Sequence, residues 1–286
     1  MAADTAALAR SRQEHDPAAI TRHQLFFGIF LLATLNAMFG NAVSSVAVRG
    51  WVWGAANLFG ISAILWAALV AGLAILAEQD DGRPANRSDF ALAALVFTAA
   101  LLPAPAASAL ALTFASGWAV TIGGTGSPLR RSGIIFLATT GALLWGRLLL
   151  AYFSRPLLDI DAAFVTSLTG AEQIGNVIRS GETGARLVVA PGCSSMQGLS
   201  LALVFWATVN QFYRVPFGWK AAGWCLAALA ATVGVNVLRI GAMLRWPEHL
   251  DQIHHGWGWL AAMWATLILV VAICLYGARR EVFDPR

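Results

Sequence analysis

Three residues in the C-terminal half of this 286-residue chain are of types that together perform acyl transfer: Cys193, Arg239 and His254. A thiolate attacks a peptide carbonyl, an imidazole carries the proton to the leaving amine, and a guanidinium stabilises the tetrahedral oxyanion. Each lies where an apolar run meets its flank. Alternating passage through a membrane would bring all three to one face, so catalysis at a membrane surface is the leading expectation.

The surroundings of each residue support that chemistry and also permit plainer readings. In Ala190-Pro191-Gly192-Cys193-Ser194-Ser195-Met196-Gln197, proline and glycine set a turn and Ser194 and Ser195 are helix-capping residues. A thiol at a helix start meets unpaired N–H groups and the positive dipole end, which favour the thiolate. An inert buried cysteine at a tight turn would leave the same pattern. Gln197 is either a further oxyanion donor or a helix-surface glutamine.

Arg239 closes an expected span from Ala221 that covers roughly 28 Å at 1.5 Å per residue. The plain alternative is a side chain snorkelling at a helix end. Asn236, three residues earlier on the same helix face, is placed to orient the guanidinium. His254 and His255 precede Gly256-Trp257-Gly258-Trp259. One of them would serve as a base near neutral pH, or both would be solvated beside an interfacial tryptophan belt. Arg147 reads as a snorkelling arginine within a span. Asp159, Asp161 and Glu172 read as charges of a solvated loop rather than a substrate-binding surface, and Gly123, Gly124 and Gly126 as a turn.

The elements that must position these residues are membrane spans. The chain is 58% hydrophobic and 12% charged, against about 25% charged in a soluble domain, and its mean hydropathy is +0.66. The expected fold is all-α: one polytopic helical bundle of about eight spans, with a short extracytoplasmic amphipathic segment. Residues 1–24 and 278–286 are the expected cytoplasmic tails, 25–277 the membrane domain, and about 159–277 its catalytic part. A net charge of +4 and a pI near 9.4 come from basic residues scattered over short loops, which points to orientation signals and not to nucleic acid. Cys193, Cys225 and Cys274 have neither CxxC spacing nor a ligand cluster, so neither a metal, a cofactor nor a disulfide is expected.

The expected spans are about Leu25–Val48, read as a retained signal anchor, and Trp51–Ala77, with a tight turn at Arg49 and Gly50. Two short spans follow within Phe90–Ile122, separated by a hairpin at Pro103 and Pro105, then Gly133–Phe153. The last three are Cys193–Phe212, Ala221–Arg239 and Gly256–Tyr276. Between Arg155 and Pro191 lies a polar stretch with a weak amphipathic pattern through Ala162, Phe164, Val165, Leu168 and Ile174. One side of the membrane then receives only Arg49, Arg155, Arg179, Arg186, Arg239 and Arg245, while the other receives most of the basic residues. The positive-inside rule therefore puts both termini in the cytoplasm. A seven-span count, with one bent helix at Phe90–Ile122, moves the N-terminus outside but leaves Cys193, Arg239 and His254 on the extracytoplasmic face.

The run Gly192-Cys193-Ser194-Ser195, then Asn236-Val237-Leu238-Arg239-Ile240, then His254 with Gly258-Trp259, resembles the exosortase/archaeosortase family in order and spacing. The resemblance is sharpest from about Asp159 to Trp259. It implies a membrane-embedded cysteine peptidase or transpeptidase with Cys193 as nucleophile, Arg239 as charge stabiliser and His254 as acid/base. Ser194, Asn236, Gln197 and His255 stand as supporting residues. It also implies partners: exported proteins ending in a short motif, often Pro-Glu-Pro, then a membrane helix and a basic tail. Two departures are Ser195, where a glycine is common, and His255, where an acidic residue is frequent. A transporter or assembly subunit binding an anionic solute or partner is the non-enzymatic alternative.

Overall fold

The computed structural model describes residues 20–78 and 82–283. The expected N-terminal tail lies outside the described residues as far as position 19. Helix α1, Arg22–Ala56, is capped by Thr21, whose hydroxyl accepts from the Gln24 N–H while the Gln24 side chain accepts from the Thr21 N–H. The expected tight turn at Arg49 and Gly50 is instead a kink, with Gly50 at φ 78° and the helix resuming beyond it. The apolar residues after Gly50 sustain the helix, and the reversal falls at Leu58, Phe59 and Gly60, all with positive φ. Helix α2 then covers Ala63–Glu78.

Helices α3, Arg87–Leu101, and α4, Pro105–Ile122, are separate, as the two prolines require. Helix α5, Pro128–Thr140, passes through a π turn at Gly141–Trp145 into α6, Gly146–Tyr152. Asp89, fully buried, accepts from the Arg22 Nε at 2.8 Å and from the Trp118 indole at 3.2 Å. That pairing ties the starts of α1 and α3 to the end of α4.

The polar stretch departs from the all-α expectation. Helix α7, Ser154–Thr169, is amphipathic, burying Leu158, Asp161, Ala162 and Val165. Phe164 and Leu168, expected on the same apolar face, are exposed. A three-stranded antiparallel sheet follows: β1, Glu172–Ile174; β2, Val177–Arg179; and β3, Arg186–Val188. Ile174 pairs with Val177 across a two-residue Gly175-Asn176 loop, and Gly175 adopts φ 60°, the left-handed conformation that such hairpins demand.

Helix α8, Met196–Phe212, α9, Trp219–Arg245, the short α10, Leu250–His254, and α11, Trp257–Phe283, complete the chain. Two expected boundaries move outward. Helix α9 runs two turns beyond Arg239, because Ile240 to Leu244 continue its apolar pattern, and α11 runs through the expected C-terminal tail to Phe283. Arg131, buried at the start of α5, donates from its Nε to the Gln211 carbonyl at 2.8 Å, satisfying the open end of α8.

Among the described residues five segments are long and apolar enough to cross a membrane: Arg22–Val48, Pro105–Ile122, Pro128–Tyr152, Trp219–Arg245 and Trp257–Val282. The chain is therefore a helical bundle of membrane-protein type. Helices α1 to α6 share one apolar core, and α8, α9 and α11 share a second through Ala202, Val209, Ala228 and Val270. A third, smaller core joins α7, the sheet and α9 through Leu158, Val165, Ile178, Val189, Val237 and Ile240, and it contains Cys193.

Candidate active site

The third core fixes the cysteine. Asn176, at the hairpin loop, accepts from the Val189 N–H at 2.8 Å and donates its side-chain amide to the Val189 carbonyl at 3.0 Å. From there the chain enters a single 3-10 turn, Pro191–Cys193. Cys193 thus stands three residues before α8 rather than at its first position, and it is 2% exposed. The Ser194 hydroxyl, one residue before the N-cap, accepts from the Met196 N–H at 3.3 Å in a local turn. Ser195 does not cap through its side chain.

The Ser195 backbone and hydroxyl both donate to Asp161, at 3.2 and 2.7 Å. Asn236 donates to the Cys193 carbonyl at 2.7 Å and to the Ser195 hydroxyl at 3.1 Å. The Asn236 side-chain N–H groups are thus engaged by the cysteine turn, a role that its spacing to Arg239 does not suggest. Asp161 also departs from expectation, being 6% exposed rather than solvated. A carboxyl at that position is tolerated only because both of its oxygens are satisfied. Asp161→Ala leaves two Ser195 donor groups unpaired, at a cost of about 1–3 kcal/mol. Urea titration of the purified protein in detergent should show that loss, and Asp161→Asn, which keeps one acceptor, should lose less.

His254 reaches the cysteine from α10, with Nε2 3.0 Å from Cys193 Sγ. Its other nitrogen, Nδ1, lies 2.7 Å from His255 Nε2. Of the two histidines, His254 is therefore the one against the thiol. Rather than opening the last span, it ends a five-residue helix of its own, and two glycines make the step to α11 possible. A Cβ on Gly256 would lie 2.8 Å from the Gln252 carbonyl oxygen, and one on Gly258 would lie 2.6 Å from the Ile253 Cα. Burial holds the His254 imidazole below its ordinary 6.5, the neighbouring His255 and then Arg239 adding to this while Asp251 opposes it.

Arg239 is half-buried in α9 and electrostatically coupled to both His254 and Cys193. Its Nε is buried without a hydrogen-bond partner. A buried cationic donor without a partner is a costly arrangement.

Beside the cysteine turn, a cavity of about 200 Å³ is bounded by Pro191, Met196, Gln197 and Ser200 on one side and by Arg147, Ser62 and Asn41 on the other. Gln197 and Arg147 thus both line this cavity. Asp159 and Glu172 lie elsewhere: the Asp159 carbonyl accepts from Gln173 at 2.9 Å, and Glu172 is exposed on β1. All three cysteines are free, and Cys225 and Cys274 lie within α9 and α11. The arrangement places a thiol against an imidazole, with a guanidinium electrostatically coupled to both, groups suited to nucleophilic acyl transfer. No protein-family model matches the chain, and no curated protein or solved structure matches it either.

Proposed function

We propose that the chain is a membrane-embedded cysteine endopeptidase or transpeptidase, similar to exosortases, acting on membrane-tethered proteins just outside the bilayer. The observation that carries this reading is the 3.0 Å approach of His254 Nε2 to Cys193 Sγ, beside a guanidinium whose Nε has no partner. In this reading α1, α2, α3, α4, the α5–α6 rod, α8, α9 and α11 make eight passes, both termini lie in the cytoplasm, and the site faces the periplasm or cell exterior of a bacterial inner membrane.

The Cys193 thiol gives its proton to His254 Nε2 as Sγ attacks the scissile carbonyl carbon. The carbonyl oxygen takes up the electron pair and the negative charge, which Arg239 faces. Collapse of the tetrahedral species breaks the C–N bond, and His254 returns the proton to the leaving amine. A thioester on Cys193 remains. Water or an amine acceptor then attacks it, giving up a proton to His254, which passes it to the departing Sγ and restores the thiol. Substrates of the kind the resemblance implies, with a C-terminal motif, a membrane helix and a basic tail, would present the scissile bond at this depth.

The proton acceptor must be neutral to work, and His254 stays neutral to lower pH than an ordinary histidine. The acid limb of the pH–rate profile is therefore expected below pH 6.5; a midpoint at or above that value would contradict this assignment.

The alternative, a transporter or assembly subunit for an anionic ligand, draws on Arg147, which lines a cavity while carried by a membrane-spanning helix. Labelling separates the two. A peptidyl electrophile should modify Cys193 in the native protein and fail to do so in His254→Leu. Solute flux unaffected by Cys193→Ala would favour the alternative.

A further inference from the structure

The reaction as written uses only one nitrogen of His254, and the other is also engaged. The His254 and His255 rings lie with centroids 4.1 Å apart and planes at 80°, directing His255 Nε2 to within 2.7 Å of His254 Nδ1. This contact arises because His254 is the last residue of α10 and His255 leaves the helix at φ −118° and ψ −20°. Consecutive residues of a continuous helix would point their rings about 100° apart.

We propose that His255 is the third member of the site, a positioning residue whose Nε2 accepts the Nδ1 proton of His254 and so fixes both the tautomer and the plane of the reacting imidazole. This rests on the peptidase reading. Counting protons decides the direction of the bond. To take the thiol proton, His254 Nε2 must begin without one, so the neutral ring carries its hydrogen on Nδ1. After transfer, both nitrogens carry hydrogen. In either state Nδ1 donates, so His255 must be neutral, with its own hydrogen on Nδ1 and its lone pair on Nε2. The opposite polarity puts a hydrogen on His254 Nε2 from the outset, and that ring cannot receive the thiol proton. His255 therefore neither gains nor loses a proton during the cycle. It performs the task that a carboxylate performs in other nucleophile–histidine sites.

No titration of His255 is needed for this role. The charged and titratable groups about the pair are Cys193 from the turn, Arg239 from α9 and Asp251 from α10. Two substitutions separate hydrogen bonding from packing. His255→Gln keeps an acceptor at about the reach of Nε2, while His255→Leu removes it and keeps apolar bulk.

The test is alkylation of Cys193 by iodoacetamide at pH 7 in the full-length, detergent-solubilised protein. Cys225→Ala and Cys274→Ala leave Cys193 as the only thiol. Its rate should fall at least about tenfold in His255→Leu and recover to within about threefold in His255→Gln, since a mis-set imidazole no longer withdraws the thiol proton. His254→Leu should be at least as slow. A His255→Leu rate equal to the parent, with His254→Leu slow, overturns the role of His255 and leaves the Cys193–His254 pair intact. A His255→Gln rate as low as that of His255→Leu also overturns it, in favour of packing. If His254→Leu reacts like the parent, the peptidase reading itself fails.

Discussion

Cys193→Ala should abolish processing of a co-expressed sorting-signal substrate, lowering cleavage by at least about a thousandfold, the scale set by removing the nucleophile of a triad. The substitution removes one sulfur from a small core and leaves the backbone bonds of the turn, including Asn236 to the Cys193 carbonyl, in place. Membrane insertion and protein level should therefore match the parent on immunoblots. Cys193→Ser keeps a hydrogen-bonding group towards His254 but offers a far weaker nucleophile, so it should be nearly as inactive. Cleavage persisting in either variant would assign the chemistry elsewhere.

Arg239→Ala should have the next largest effect, a loss of about 10²–10³ in kcat, or roughly 3–4 kcal/mol of transition-state stabilisation. The prediction follows from a guanidinium coupled to both Cys193 and His254 whose Nε makes no other hydrogen bond. KM should change little, because the oxyanion exists only after attack has begun. Arg239→Lys should recover only part of the loss, since an ammonium cannot reproduce the planar fork. If alanine raised KM and left kcat unchanged, Arg239 would be a substrate anchor. Steady-state kinetics on a detergent-solubilised reporter distinguishes the two.

How much of this was legible beforehand depended on whether a feature is local. The break at Pro103 and Pro105 is legible because proline interrupts a helix interior and is tolerated only in a first turn, where Pro105 stands at the start of α4. Alternating topology alone leads to the expectation that Cys193, Arg239 and His254 share one face, and the structure adds the 3.0 Å contact between Cys193 and His254. The end of α9 was misplaced because a span was closed at its first charge, although Ile240 to Leu244 carry the helix onward to Arg245. The small sheet was missed because each strand has three residues, too few for alternation to register. Gly175-Asn176 between Ile174 and Val177 was its one local signal.

Asp161 was hidden for a different reason. It was read as a loop charge, yet it falls on the stripe formed by Leu158, Ala162 and Val165, three and four residues apart. An acid on the apolar face of an amphipathic helix is the sign of a buried partner, and that partner, Ser195, lies 34 residues on. The redirection of Asn236 to the Cys193 carbonyl, across 43 residues, and the meeting of the two histidine rings depend on packing and on a helix break. Neither can be read from spacing. Gly256 and Gly258 are visible in the sequence, but what requires them is the meeting of α10 and α11 with no room for a Cβ.

The most direct test of the central claim is capture of the acyl-enzyme. The full-length protein, co-expressed with a membrane-tethered sorting-signal reporter, would be quenched in acid and digested, and the peptide bearing Cys193 examined by mass spectrometry. A hydroxylamine-labile adduct carrying the N-terminal side of the reporter, present in the parent and absent from His254→Leu, is the expected result. Reporter cleavage with no adduct on Cys193, and undiminished in Cys193→Ala, would contradict it.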